Sequence, residues 1–138
     1  MARKITANVL TLIVALGIIY IGVSYLLTPE TLGSSFGFPH WPTGEAADIL
    51  TIKGGRDIVM GLIPLALFLT GQRRALGWVL LVETAAPIAD GTLVLLHDGN
   101  LATAFGVHYA TAALVIVAGV LQLQVARKEA LQETLQAA

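Results

Sequence analysis

The sequence predicts an all-α protein, a transmembrane four-helix antiparallel bundle forming one domain over residues 1–138. Three observations carry this. First, hydrophobic residues make up 56% of the chain and charged residues only 12%, with a mean hydropathy of +0.79. A soluble domain carries roughly 25% charged residues, so half the charge that would hydrate a surface is missing. Second, four apolar runs approach the roughly 20 residues that a membrane-spanning helix needs: 5–27, 49–70, 75–97 and 101–125. They are too long and too little alternating for β spans. Third, Lys and Arg are distributed unevenly over the connections. Arg3 and Lys4, Arg73 and Arg74, and Arg127 and Lys128 fall on one side of a four-span topology, and the loops of the other side carry none. The positive-inside rule then places both termini in the cytoplasm, with the chain integral to a cell (inner) membrane.

The first span follows Arg3 and Lys4 as a signal peptide would. Its apolar stretch exceeds the roughly 7–15 residues of a signal core and no A-x-A site follows, so it reads as a retained helix. The external connection 28–48 is long and holds Pro29, Pro39 and Pro42 with the aromatics Phe36, Phe38 and Trp41. Two readings fit it: an interfacial loop with its rings at headgroup depth, or a lid over a cavity. Thr43 and Glu45 suit an early start of the second helix, since an acidic side chain is favoured at a helix amino end. Gly71–Arg74 reads as a tight cytoplasmic turn. His97–Asn100 reads as a tight external one, with Gly99 and Asn100 as its turn formers. The tail 127–138 reads as a frayed, charged continuation of the fourth helix.

Ionisable groups at membrane depth cost about 2.5–3.5 kcal/mol each on insertion scales, yet this sequence keeps several. With a rise of about 1.5 Å per residue, Arg56 and Asp57, Asp90, and His108 each lie about 10 Å in from the external face, on three different spans. Glu83 lies deeper. Lys53 and Asp57 are spaced i,i+4, and Glu83, Pro87 and Asp90 follow i, i+4, i+7, so each set shares a helix face. Pro87 and Pro64 each remove a backbone donor and can kink their helices. Two readings follow. In one, Arg56–Asp90 and Lys53–Asp57 are ion pairs that only neutralise charge and fix packing. In the other, carboxylate, imidazole and guanidinium at one level form an acid–base and anion-stabilising site. Ala102, Gly106 and Ala110 form a small-residue stripe that admits another helix, within the bundle or in a homo-oligomer.

Other chemistries lack their residues. With no cysteine there are no disulfides, thiolate metal sites or cysteine nucleophile. Gly54–Gly55 is not a phosphate loop, and neither GxSxG nor HExxH occurs. His40, His97 and His108 could meet around a metal only if the long loop folded down, so no metal and no cofactor are expected. A net charge of −1 gives no attraction to nucleic acid.

The stretch Ile52-Lys53-Gly54-Gly55-Arg56-Asp57-Ile58-Val59-Met60-Gly61-Leu62 resembles a signature of a family of small, uncharacterised four-helix membrane proteins, which in turn resembles the wider DoxX-like group. The resemblance continues in Arg74–Leu80, in Pro87–Asp90, and in His108 with Ala110–Ala113, and covers about Pro39 to Leu121. It implies the four-helix membrane fold. From the wider group it implies a role in quinone-linked oxidation or in assisting other membrane proteins.

The reading that results is an integral membrane protein binding a small lipophilic molecule in the outer half of the bundle. It would act by cofactor-free acid–base chemistry such as isomerisation, cyclisation or epoxide opening. Asp90 or Glu83 would be the acid or base, His108 would shuttle or orient a proton, and Arg56 would stabilise negative charge. Lys53, Asp57 and Trp41 would help to hold the ligand. The alternative is a non-enzymatic DoxX-like subunit of a quinone-linked or other membrane complex, and a third reading is a proton-coupled transporter using Glu83 and Asp90.

Overall fold

The computed structural model describes residues 2–137. Helix takes up 87% of the chain and no strand occurs among the described residues, in accord with the all-α prediction. Helix α1 is Ala2–Leu27, followed by the short α2, Pro29–Ser34. A 3₁₀ turn, Gly44–Asp48, leads into α3, Ile49–Leu69, which is the early start that Thr43 and Glu45 suggested. Helices α4, Arg73–Glu83, and α5, Ala85–Leu96, form one rod interrupted at Thr84. Pro87 supplies the reason, because it has no N–H to donate to the Glu83 carbonyl. The last rod comprises α6, Leu101–Thr103, a π-helical segment, Ala104–Tyr109, and α7, Ala110–Ala137. The tail thus continues as helix to Ala137, and Ala138 lies outside the described residues.

Three helices are long and apolar enough to cross a membrane: Ala2–Leu27, the joined rod Arg73–Leu96, and the joined rod Leu101–Ala137. The expectation of four apolar spans is corrected at α3. Its 21 residues are long enough, but every 18-residue stretch of it contains Lys53, Arg56 and Asp57.

The burial pattern of α1 explains how the rods pack. Ala7, Thr11, Ala15, Gly22 and Tyr25 face inward, while Ile5, Val9, Ile13, Leu16, Tyr20, Val23 and Leu27 face outward. In water that choice would be reversed. Lipid tails are as apolar as leucine, so large side chains gain nothing by turning inward, and small residues that let backbones approach take the interface. Gly22 and Gly54 face each other across the antiparallel α1–α3 pair. A Cβ on Gly54 would stand 2.7 Å from the Gly22 carbonyl oxygen. Gly77 of α4 and Gly119 of α7 make a second such contact, and a Cβ on either would stand 3.0 Å from the other's carbonyl oxygen. Beside this second contact sits a core of Leu76, Leu80, Val115 and Ala118, packed by Leu10, Val14, Leu67 and Phe68.

A polar knot that the sequence reading missed ties the terminal end of the bundle. Arg73 Nη1 donates to Asn8 Oδ1 and to Gln122 Oε1, each at 2.8 Å, and its Nε lies 3.3 Å from Glu129 Oε2. Gln122 Nε2 donates to Thr11 Oγ1 at 2.9 Å and to the Ala7 carbonyl at 3.2 Å. Lys4 Nζ pairs with Glu129 Oε1 at 2.7 Å. The amino end of α1, the 71–74 turn and the 122–129 stretch of α7 therefore lie together. Arg73, which the sequence assigned to a loop, turns inward and joins α1, α4 and α7. At the opposite turn the left-handed residue is Asp98, with φ 53°, rather than Gly99. Asn100 Oδ1 accepts from the Thr103 N–H at 2.9 Å and so caps the last rod.

Candidate functional site

Toward the other end the rods separate. Helices α1 and α3 stay together through Gly22 and Gly54, and α5 stays against the π segment. Gly91 permits the second contact, because a Cβ there would stand 3.1 Å from His108 Cβ and 3.2 Å from Tyr109 Cε2. Between the two pairs no Cα of α3 comes within 8 Å of one in α5, and none of α1 within 8 Å of the π segment. Packed helices sit 8–10 Å apart axis to axis and bring backbones closer than this, so at the end of the bundle near the long loop the two helix pairs diverge, with the side chains of Tyr25, Phe36, Lys53 and Asp90 between them.

Some of the charged groups foreseen from the sequence lie there. Lys53 Nζ donates to Asp57 Oδ2 at 2.9 Å and Oδ1 at 3.2 Å, a pairing that follows from their i,i+4 spacing. Across to α5 it reaches Asp90 Oδ2 at 3.8 Å. The side chain of Asp57 is buried, while those of Lys53 and Asp90 are each 30% exposed, so these two are reachable from outside the bundle. The ammonium also lies 5.2 Å from the Tyr25 ring centre and 5.6 Å from that of Phe36, within the range of cation–π attraction. Asp90 makes no hydrogen bond among the described residues, which leaves it the least satisfied carboxylate of the cluster.

His108 is buried, and its Nε2 donates to the Phe36 carbonyl at 2.9 Å. That bond comes from the long loop. Phe36 packs on His108 at 4.5 Å between ring centres, stacks with Phe38 at 5.4 Å and meets Trp41 edge-on at 5.6 Å. Phe38 in turn meets Trp41 at 5.4 Å and His97 at 5.6 Å. Gly37, at φ 114°, accepts the Asn100 N–H at 2.8 Å. The loop is therefore anchored on the α1–α3 side through α2 and on the α5–α6 turn through Gly37, and it bridges the two pairs. Trp41 belongs to this cap, against Gly33, and its buried Nε1 has no partner among the described residues.

Two expected members lie elsewhere. Arg56 is exposed and makes no hydrogen bond or ion pair among the described residues. The expected Arg56–Asp90 pair is replaced by Lys53–Asp90. A helix advances about 100° per residue, and Arg56 stands that far round from Asp57 on the side away from the buried Gly54–Gly61 face. Glu83 is half-buried at the end of α4, two turns below Asp90, and has no polar partner among the described residues. Ala102, Gly106 and Ala110 are all exposed. Among the described residues no group of His, Asp and Glu is placed to hold a metal ion.

The sequence reading missed Tyr25 and the π segment. Tyr25 was one aromatic in an apolar run, with nothing to distinguish it from Tyr20. The π segment has no sequence signature of its own, although such bulges recur at functional sites.

A family model described as a domain of unknown function, DUF4267, matches residues 15–122, more than three quarters of the chain, and the chain belongs to that family. No curated protein and no solved structure matches it.

Proposed function

We propose that this member of the DUF4267 family is a four-span membrane protein that takes up a small lipophilic molecule between the diverging α3 and α5 and acts on its polar group with Asp90. In this reading α3 crosses the membrane as the fourth span, its Lys53 and Asp57 charges neutralising each other against the bundle interior. The observation that carries the proposal is the divergence of α3 from α5 at the level of Lys53 and Asp90. Apolar rods diverge at a level where a lysine, two carboxylates and a capped histidine converge, and apolar walls with a few polar groups suit a lipophile. Asp90, held by one contact of 3.8 Å, is the group free to take or give a proton. Lys53 then balances the charge that develops. His108, fixed by the Phe36 carbonyl, holds the cap over the site, and Glu83 is a second carboxylate deeper on the same face.

Asp90→Asn tests this. Asparagine keeps the size and loses the charge, and Asp57 continues to pair Lys53. The expected result is an unchanged melting temperature in detergent, with loss of the lipophile that mass spectrometry detects in extracts of the gently purified wild-type protein. Equal lipophile content in wild type and variant would end the proposal.

The six basic residues gathered at or near the terminal end support an orientation with both termini in the cytoplasm, in a cell (inner) membrane. Reporter tags on the two termini should both read cytoplasmic, and tags reading opposite sides would refute the four-span topology. A second reading, a DoxX-like subunit of a larger membrane complex, is favoured by the exposed stripe of Ala102, Gly106 and Ala110, where a partner helix or a second copy could approach closely. Obligatory co-purification of another membrane protein would favour it.

A further inference from the structure

Arg56 presents a charge on a face that is otherwise apolar. Ile52 and Val59, beside it on the outward side of α3, are exposed, and with Gly55, Met60 and the hydrocarbon stem of Arg56 they line a shallow, almost wholly apolar groove of about 520 Å³. A Cβ on Gly55 would have nothing within 4 Å, so a notch lies open next to the charge. Arg56 is about 10 Å along α3 from Ile49. Helix side chains tilt toward the helix amino end, which for α3 is the outer end. A long arginine can therefore extend toward the headgroup level while its stem covers apolar surface.

We infer that this face is a binding site for an anionic phospholipid of the outer leaflet, its phosphate on Arg56 beside Gly55 and an acyl chain along Val59 and Met60. Charge complementarity selects the occupant. A guanidinium facing hydrocarbon is costly, and a phosphate accepts its planar fork of donors bidentately. The rest of the groove offers almost nothing polar, which suits an acyl chain and gives no partner to a polar peptide. The inference requires α3 to meet lipid and is independent of any chemistry at Asp90.

The test is native mass spectrometry of the full chain in detergent with added dioleoyl phosphatidylglycerol, compared with dioleoyl phosphatidylcholine. Wild type should retain one phosphatidylglycerol in preference. Arg56→Gln should weaken that retention about tenfold, the scale of one charge-assisted hydrogen-bonded pair. Arg56→Lys should fall between, since it keeps the charge and loses the fork. Gly55→Leu fills the notch without touching the charge and should also reduce retention at an unchanged melting temperature. Retention equal in wild type and Arg56→Gln would overturn the site. So would a Gly55→Cys variant that cross-links almost fully into a dimer in isolated membranes, because a second copy would then cover this face. The chain has no other cysteine, so that cross-link has a single source.

Discussion

Gly54→Val is expected to destabilise the protein by about 3 kcal/mol, the upper range for overpacking a tight interface, and to lower the yield of folded material. The added Cβ would stand 2.7 Å from the Gly22 carbonyl oxygen and 2.9 Å from Tyr25 Cβ. A backbone oxygen cannot rotate out of the way as a side chain can, so α1 and α3 must move apart along the half of their contact near the long loop. That shift also draws Tyr25 away from Lys53. Gly17→Val is the control. It introduces the same β-branched residue into α1 where a Cβ meets nothing within 4 Å, and it should cost far less. Thermal unfolding in detergent separates the two. Equal melting temperatures would show that the α1–α3 approach does not depend on glycine.

Asp57→Ala is the second large effect, expected at about 2–3 kcal/mol. Breaking a buried ion pair by removing one partner costs about 3–5 kcal/mol, and the lower figure applies here because Lys53 keeps some exposure. Asp57 gives Lys53 its two short contacts, at 2.9 and 3.2 Å, and Asp90 at 3.8 Å replaces them incompletely. The triple variant Lys53→Met, Asp57→Leu and Asp90→Asn should recover much of the loss, because no charge of the cluster is then left unpaired. The contrast with Asp90→Asn is informative, since one carboxylate of the cluster is assigned to stability and the other to the ligand. An unchanged melting temperature for Asp57→Ala would mean that Lys53 satisfies its charge outside the cluster.

The placement of single residues shows where sequence reasoning reached. Lys53 and Asp57 were legible as a pair because i,i+4 spacing on a helix leaves little choice of geometry. Asp90 was legible as their neighbour because helix rise fixes depth from the turn. Arg56 shared that depth and was misplaced, since depth says nothing about the side of the rod on which a residue stands. Asn8 and Gln122 were passed over because neutral amides do not interrupt an apolar run, although they bind Arg73 into the bundle.

The sequence by itself determined the helical class, the solvent the helices are made for and the end at which the basic residues collect. Each of these depends on composition and on the lengths of apolar runs, which are properties of the chain before it folds. Only the tertiary structure decided which face of each rod turns inward. In lipid the hydrophobic effect gives no direction, so the choice goes to backbone approach at Gly22, Gly54, Gly77 and Gly119, which no run of hydropathy records. It also decided that the long loop bridges two helix pairs. That depends on the Phe36 and Gly37 carbonyls meeting His108 and the Asn100 N–H, partners more than 60 residues away along the chain. The cap follows from those long-range contacts, and the exclusion of Arg56 follows from the face of α3 that Gly54 and Gly61 turn to α1.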